Sequence, residues 1–109
     1  MKERRVRQLL VLTDLIRDRS LEDLRRAAAE RDLTRAHIAG LEAPPASDLP
    51  ALAAAQVALS YQRWADERRR ELNMQLARQM VSVAQRQAEA RLAFGRAEVL
   101  HRLATPGRR

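Results

Sequence analysis

One interruption, the segment Gly40 to Pro50 ("GLEAPPASDLP"), constrains the fold of this chain more than any other feature of its 109 residues. The adjacent residues Pro44 and Pro45 cannot continue a helix, because each lacks a backbone N–H and clashes with the preceding turn. The sequence on both sides is typical of long helices, since aromatic residues make up 3% of the chain and it contains three glycines. We therefore predict helices at residues 3–41 and 49–104, a turn at 42–48 and a short disordered tail at 105–109.

Two helices joined by a short connection are expected to be antiparallel neighbours. The predicted fold is therefore a single all-α domain, a coiled-coil hairpin of two long antiparallel helices with the second helix longer. Residues at coiled-coil spacings of three and four predict the seam of each helix. On the first helix these residues are Val6, Leu9, Thr13, Ile16, Ser20, Leu24 and Ala27. On the second helix they are Leu49, Ala53, Val57, Ser60, Trp64, Met74, Ala77, Val81, Ala84, Ala88, Leu92, Val99 and Leu103.

The short turn also predicts the register of the hairpin. If Leu41 faces Leu49, then Leu9 faces Val81, and Trp64 faces a patch of alanines on the first helix. Trp64 then anchors the middle of the hairpin, and a docking role for its ring is the alternative. The same register leaves residues 90–104 without an opposing helix, so we predict an overhang at the end of the second helix.

The net charge of +7 lies entirely in the last part of the sequence. Residues 1–67 carry 11 basic and 11 acidic side chains, whereas residues 68–109 carry 10 basic side chains and three glutamates. Such an asymmetry indicates an acidic partner for this end, whether protein, nucleic acid or lipid headgroup. Basic residues near the first residue add to the same end of the predicted hairpin.

The predicted overhang combines charge with an apolar surface. Its apolar side chains cover a wide arc of the helix, Phe94 projects from another side, and Gly95 leaves a groove through which a second backbone can approach. An interior helical glycine costs about 1 kcal/mol relative to alanine, and an exposed apolar patch marks an interaction site. The predicted partner-binding residues are Arg4, Arg5, Arg7, Leu92, Phe94, Gly95, Arg96, Val99 and Leu103.

Two other functions remain open for this basic, apolar end. Residues 9–16 are apolar nearly all round, which favours self-association into a four-helix assembly or an adaptor role. Binding of nucleic acid through the arginines is the second alternative, but lysine is nearly absent and no aromatic residues are interleaved with the arginines. A membrane-surface helix is disfavoured, because the arginines do not collect opposite the apolar arc.

The remaining features argue against an enzyme. The chain has no cysteine, which excludes disulfides and thiolate metal sites. His37 and His101 are expected at opposite ends of the hairpin, and the sequence lacks a glycine-rich phosphate loop. We therefore expect no catalytic residue, cofactor or metal. The apolar run Leu9 to Leu12 is too short for an export signal, so a cytoplasmic location is expected.

Two segments carry a resemblance to a known family: "VRQLLVLTDLIRDRSLEDLRRAAAERDLTRAHIAGLEA" at residues 6–43 and "RQAEARLAFGRAEVLHRL" at residues 86–103. Joined by a proline-containing turn, they resemble the FliJ family of the flagellar type III export apparatus, which is related to the YscO stalk proteins of injectisomes. The resemblance implies a stalk that inserts the end bearing both termini into the hexameric, FliI-like export ATPase and promotes its assembly and activity. It also implies contacts with the export gate FlhA and with export chaperones, and a location at the inner membrane through these partners only.

Overall fold

The computed structural model describes residues 2–42 and 48–105 of the chain. These residues form two α-helices, α1 at Lys2–Gly40 and α2 at Ala51–Ala104, and no strand. The helices contain 39 and 54 residues and run antiparallel to each other. The predicted fold class, an all-α helical hairpin with the longer helix second, is confirmed.

The helix ends lie close to the predicted ones. After α1, the N–H of Leu41 donates to the carbonyl of Ile38 at 3.1 Å, a three-residue spacing that tightens the last turn. The predicted helix start at Leu49 is two residues early, since α2 begins at Ala51 and the Pro50 carbonyl accepts its first hydrogen bond from Ala54 N at 2.8 Å. Most of the predicted turn (residues 43–47) and of the predicted tail (106–109) lies outside the described residues.

The chain divides into two compact units, which are described separately. We call the first the terminal unit; it comprises Met1–Ala28 and Val81–Arg109 and thus the beginning of α1 and the end of α2. We call the second the turn unit; it comprises Ala29–Met80, with the end of α1 and the beginning of α2.

In the terminal unit, the helices meet along a seam with strict heptad spacing. On α1 the partly shielded seam residues are Val6, Leu10, Thr13, Arg17, Ser20, Leu24 and Ala27. On α2 the buried or partly shielded seam residues are Val83, Ala90, Ala93, Ala97 and Leu100. The α2 side of this seam is therefore formed largely by small side chains.

The predicted seam is partly right on α1 and wrong on α2. On α1, Leu9 and Ile16 lie beside the seam, each 46% exposed, whereas the other five predicted residues belong to it. On α2, every predicted residue is exposed except Ala53, which is partly shielded. In the terminal unit the predicted α2 stripe lies on the outer face, because residues such as Ala90 and Leu92 are two positions, or about 200°, apart on a helix.

The period of each stripe explains why the alanines face α1. The stripe of Ala90, Ala93 and Ala97 alternates steps of three and four residues, as the α1 seam does. The apolar residues on the outer face of α2, which we call the outer stripe, repeat instead after eleven residues, from Val81 to Leu92 and on to Leu103. Seven-residue and eleven-residue repeats favour supercoils of opposite hand, so only the alanine stripe matches α1 over several turns.

The predicted register is wrong, and so is the predicted overhang at residues 90–104. In the terminal unit, Asp14 Oδ1 lies 3.1 Å from His101 Nε2, and Asp23 Oδ2 lies 4.0 Å from Arg86 Nη1. Leu103 lines a groove together with Lys2 near the start of α1. The end of α2 therefore lies alongside the beginning of α1 and does not project beyond it.

The turn unit shows the physical reason for this difference in register. Leu41 packs against Ala65 and Leu72, and the Tyr61 hydroxyl donates to the Leu41 carbonyl at 3.1 Å. The end of α1 therefore meets α2 at Tyr61, whereas the tight turn of the prediction placed it at Leu49. The additional length of α2 lies at its start, over residues 51–60.

Trp64 does not anchor the hairpin, which contradicts the sequence prediction. Its side chain is 57% exposed, and its ring contacts Tyr61 with the ring centroids 5.8 Å apart. Ala65 occupies the buried position instead, at 3% exposure. In the heptad pattern of α2, Ala65 and not Trp64 takes the seam position. The ring of Trp64 therefore faces outward.

Candidate partner-binding surface

All the predicted partner-binding residues lie in the terminal unit, where α1 and α2 contribute them from opposite ends of the chain. Arg7 lines one groove with Leu103, and this groove also includes Lys2, Glu3, Val6 and Ala104. Arg4 and Arg7 line a second groove with Gln8 and Val11, and Arg5 is exposed. The structure thus brings the basic start of α1 together with the apolar end of α2.

A shallow groove of about 580 Å³ surrounds Gly95. Its lining residues are Thr13, Arg91, Leu92, Gly95, Arg96, Val99 and Leu100. A Cβ atom built on Gly95 would have no neighbour within 4 Å, so no packing within the chain requires a glycine there. The missing side chain leaves open space in the groove wall, and four of the predicted residues meet in this groove.

Large apolar side chains are exposed on both helices of the terminal unit. Leu92, Val99 and Leu103 on α2 are 60%, 54% and 64% exposed. On α1 the exposed apolar residues of the terminal unit are Leu9, Val11, Leu12, Leu15 and Ile16. Contiguous apolar surface on a small protein marks an interaction site, because leaving it in water forfeits the free energy of burial.

The arginines on this surface lack partners among the described residues. Arg102 is paired with Glu98 at 2.8 Å and Arg86 with Glu89 at 3.1 Å, and both pairs are exposed. The predicted arginines Arg4, Arg5, Arg7 and Arg96, together with Arg91 in the groove, form no ion pair with any described carboxylate. Among the described residues no carboxylate occupies their guanidinium donors, which can pair with carboxylates of another molecule.

Phe94 has a different position from the other predicted residues. Its ring is 47% exposed and does not line the Gly95 groove. The guanidinium carbon of Arg17 on α1 lies 5.8 Å from the ring centroid, a cation–π distance. Phe94 therefore contributes to the contact between the helices of the terminal unit.

The sequence-based prediction missed the hydrogen bond between Asp14 and His101. Both side chains flank the seam, at 33% and 52% exposure, and the 3.1 Å contact joins α1 to α2. Arg17 lies 3.4 Å from the same Asp14 carboxylate oxygen. The heptad spacing of the α1 seam was the sequence signal that could have indicated this contact, because it places Asp14 directly beside the seam residue Thr13.

A comparison with known protein families, curated proteins and solved structures finds no match to this chain. Neither described helix is both long and apolar enough to cross a membrane.

Proposed function

We propose that this protein is a non-enzymatic stalk of a type III export apparatus and that its terminal unit binds the hexameric, FliI-like export ATPase. Stimulation of ring assembly and ATP hydrolysis is the proposed activity. Contacts with the export gate FlhA and with export chaperones, and a cytoplasmic location at the inner membrane through these partners, belong to the same proposal. It starts from the resemblance of residues 6–43 and 86–103 to the FliJ family.

The observation that carries the proposal is the outer surface of the terminal unit. Exposed Leu92 and Val99 border the Gly95 groove, and Arg91 and Arg96 beside them have no described ion-pair partner. An acidic, partly apolar opening in a protein ring would complement this surface. Charge then accelerates and orients the encounter, whereas apolar burial supplies most of the affinity.

The proposal does not need the overhang that the sequence predicted. Because the start of α1 lies beside the end of α2, Arg7 and Leu103 reach one groove from two helices. The surface offered to a ring is therefore formed by a helix pair. A helix pair offers apolar and basic side chains from both helices, such as Val6, Arg7 and Leu103, to one partner.

The test measures the ATP hydrolysis rate of the purified cognate export ATPase with and without this protein. We expect the double variant Arg91→Glu/Arg96→Glu to lose the stimulation, because both guanidinium groups of the groove are reversed in charge. The matched control is Arg63→Glu/Arg70→Glu in the turn unit, where both arginines are exposed and also lack ion pairs with described residues. Both variants carry the same net charge.

Circular dichroism must show equal helicity for the two double variants. Loss of stimulation in the groove variant alone supports docking through the Gly95 surface. Equal loss in both variants would show that only net charge matters, and full stimulation by the groove variant would contradict the proposed site.

A further inference from the structure

The first part of α2 is free of charge over an unusually long stretch. Residues 49–60, "LPALAAAQVALS", contain no ionisable side chain, whereas 32% of the whole chain is charged. The stretch is nevertheless exposed: Leu52 is 75%, Val57 45% and Leu59 51% accessible. An uncharged, exposed helical segment of this kind is expected to be covered by another molecule.

Trp64 lies about one helical turn beyond this uncharged segment and extends its apolar surface. Val57, Ser60 and Trp64 line a groove with Gln56 and Tyr61. The tryptophan ring rests on Tyr61 and is 57% exposed. Exposed tryptophans that border a groove are typical of residues that dominate binding energy in interfaces.

The spacing of the residues on this face is self-complementary. Ala53, Val57, Ser60 and Trp64 follow one another at steps of four, three and four, a pattern that reads the same in both directions; Ala53 is partly shielded and the other three are exposed. A second copy placed antiparallel therefore sets Trp64 against Ala53 and Val57 against Ser60, and the two-fold axis repeats both pairs. Each pair matches a large side chain with a small one, which is how facing helical layers interdigitate.

We propose that the Trp64 face is a homodimer interface, in which two copies of this chain pack the starts of their α2 helices antiparallel. The charge distribution favours a second copy as the occupant. Two molecules of net charge +7 repel each other, and the uncharged residues 49–60 let two helices meet without bringing like charges together. Every residue invoked belongs to the turn unit, so the dimer does not rest on the proposed function of the terminal unit.

The test uses Trp64 itself, because it is the one tryptophan of the chain. We expect sedimentation equilibrium of the full-length protein to show a dimer, and the tryptophan emission to shift to longer wavelength as dilution dissociates it. A protein that stays monomeric up to about 100 µM would overturn the proposal, because an interface that buries a tryptophan against its partner should bind more tightly than this. A dimer whose dissociation leaves the tryptophan emission unchanged would overturn it as well.

Three variants test the antiparallel pairing. Ser60→Arg places two arginines near the two-fold axis, and Trp64→Ala removes the large member of one pair; each should raise the dimer dissociation constant at least about 30-fold. The swapped double variant Ala53→Trp/Trp64→Ala keeps one large and one small residue in each pair and should restore dimerisation. Failure of this rescue, with helicity intact by circular dichroism, would contradict the antiparallel register.

The control variant is Leu12→Arg on the exposed apolar face of the terminal unit. It should leave the dimer intact, and dissociation by Leu12→Arg but not by Ser60→Arg would place the interface elsewhere and overturn the proposal. The dimer and the ATPase contact can be tested separately: Ser60→Arg should still stimulate the export ATPase, and Arg91→Glu/Arg96→Glu should still dimerise.

Discussion

The terminal unit and the turn unit use the same helical pairing with different side chains. In the terminal unit the α2 seam consists mainly of alanines, and the large side chains such as Leu92 and Val99 face outward. In the turn unit the larger residues Leu41 and Leu72 are buried, at 9% and 2% exposure. Because one unit buries small side chains and the other larger ones, the spacing of the residues along the helix, rather than the size of their side chains, decides which face meets the neighbouring helix.

The largest expected difference between the units comes from truncating a leucine in each. Leu72→Ala should lower the free energy of unfolding by about 2–5 kcal/mol, because the side chain is buried and leaves a cavity. Leu92→Ala should change it by less than about 0.5 kcal/mol, since Leu92 is 60% exposed. Urea unfolding followed by circular dichroism measures both. Similar losses for the two variants would mean that Leu92 is covered in solution.

Enlarging an alanine tests the seam of the terminal unit directly. Ala97→Leu should destabilise by about 1–3 kcal/mol, because Ala97 is 1% exposed and the helices must separate to admit the larger side chain. Ala88→Leu on the outer face is the matched control and should leave the thermal midpoint nearly unchanged. A gain in stability for Ala97→Leu would show that the outer stripe, not the alanines, faces α1.

The glycines of the two units allow a smaller comparison. Gly95→Ala should raise the free energy of unfolding by about 1 kcal/mol, since the added methyl group enters open space. Gly40→Ala also meets open space, but Gly40 is the last residue of α1, so its gain should be smaller. If the Gly95 groove binds the export ATPase, Gly95→Ala should weaken the stimulation of ATP hydrolysis and Gly40→Ala should not. Equal stimulation by both variants would remove Gly95 from the binding surface.

The smallest effects concern the polar contacts between the helices. Tyr61→Phe removes the hydrogen bond to the Leu41 carbonyl and should cost about 1 kcal/mol. His101→Ala removes the contact with Asp14, in which His101 and Asp14 are 52% and 33% exposed, and should cost at most about 0.5 kcal/mol. Thermal unfolding at constant pH and salt compares the two. A larger loss for His101→Ala would show that the terminal unit depends on this polar contact more than its exposure indicates.

Much of the fold was predictable from local signals. The proline-containing break and the helix-forming composition predicted two helices in a hairpin, and the observed ends at Gly40 and Ala51 lie within two residues of the prediction. Five of the seven predicted α1 seam residues, among them Val6 and Leu24, are also found at the seam. These features depend on neighbouring residues alone, so a single sequence suffices for them.

The register and the α2 face were not predictable in the same way. α2 carries an alanine stripe on one face and a stripe of larger apolar side chains on the opposite face. Because larger side chains gain more free energy on burial, they favour the wrong face as the seam. Only the seven-residue period of the alanine stripe, compared with the eleven-residue period of the other, identifies the correct one. The register depends on where Leu41 meets Tyr61, a contact across 20 positions that no local pattern encodes. The Gly95 groove was predicted from the missing side chain, whereas the position of Phe94 against Arg17 required the correct register.

Because its α2 seam consists mainly of alanines, the terminal unit depends on a bound partner to keep its two helix ends paired. Burial of the methyl groups of Ala90, Ala93 and Ala97 contributes only about 2 kcal/mol, so the paired helix ends open more readily than a seam of leucines would. A ligand that recognises only the paired form shifts this equilibrium toward it by mass action. Amide hydrogens at both ends of the chain should consequently exchange fast in the free protein and slow together when the partner is captured.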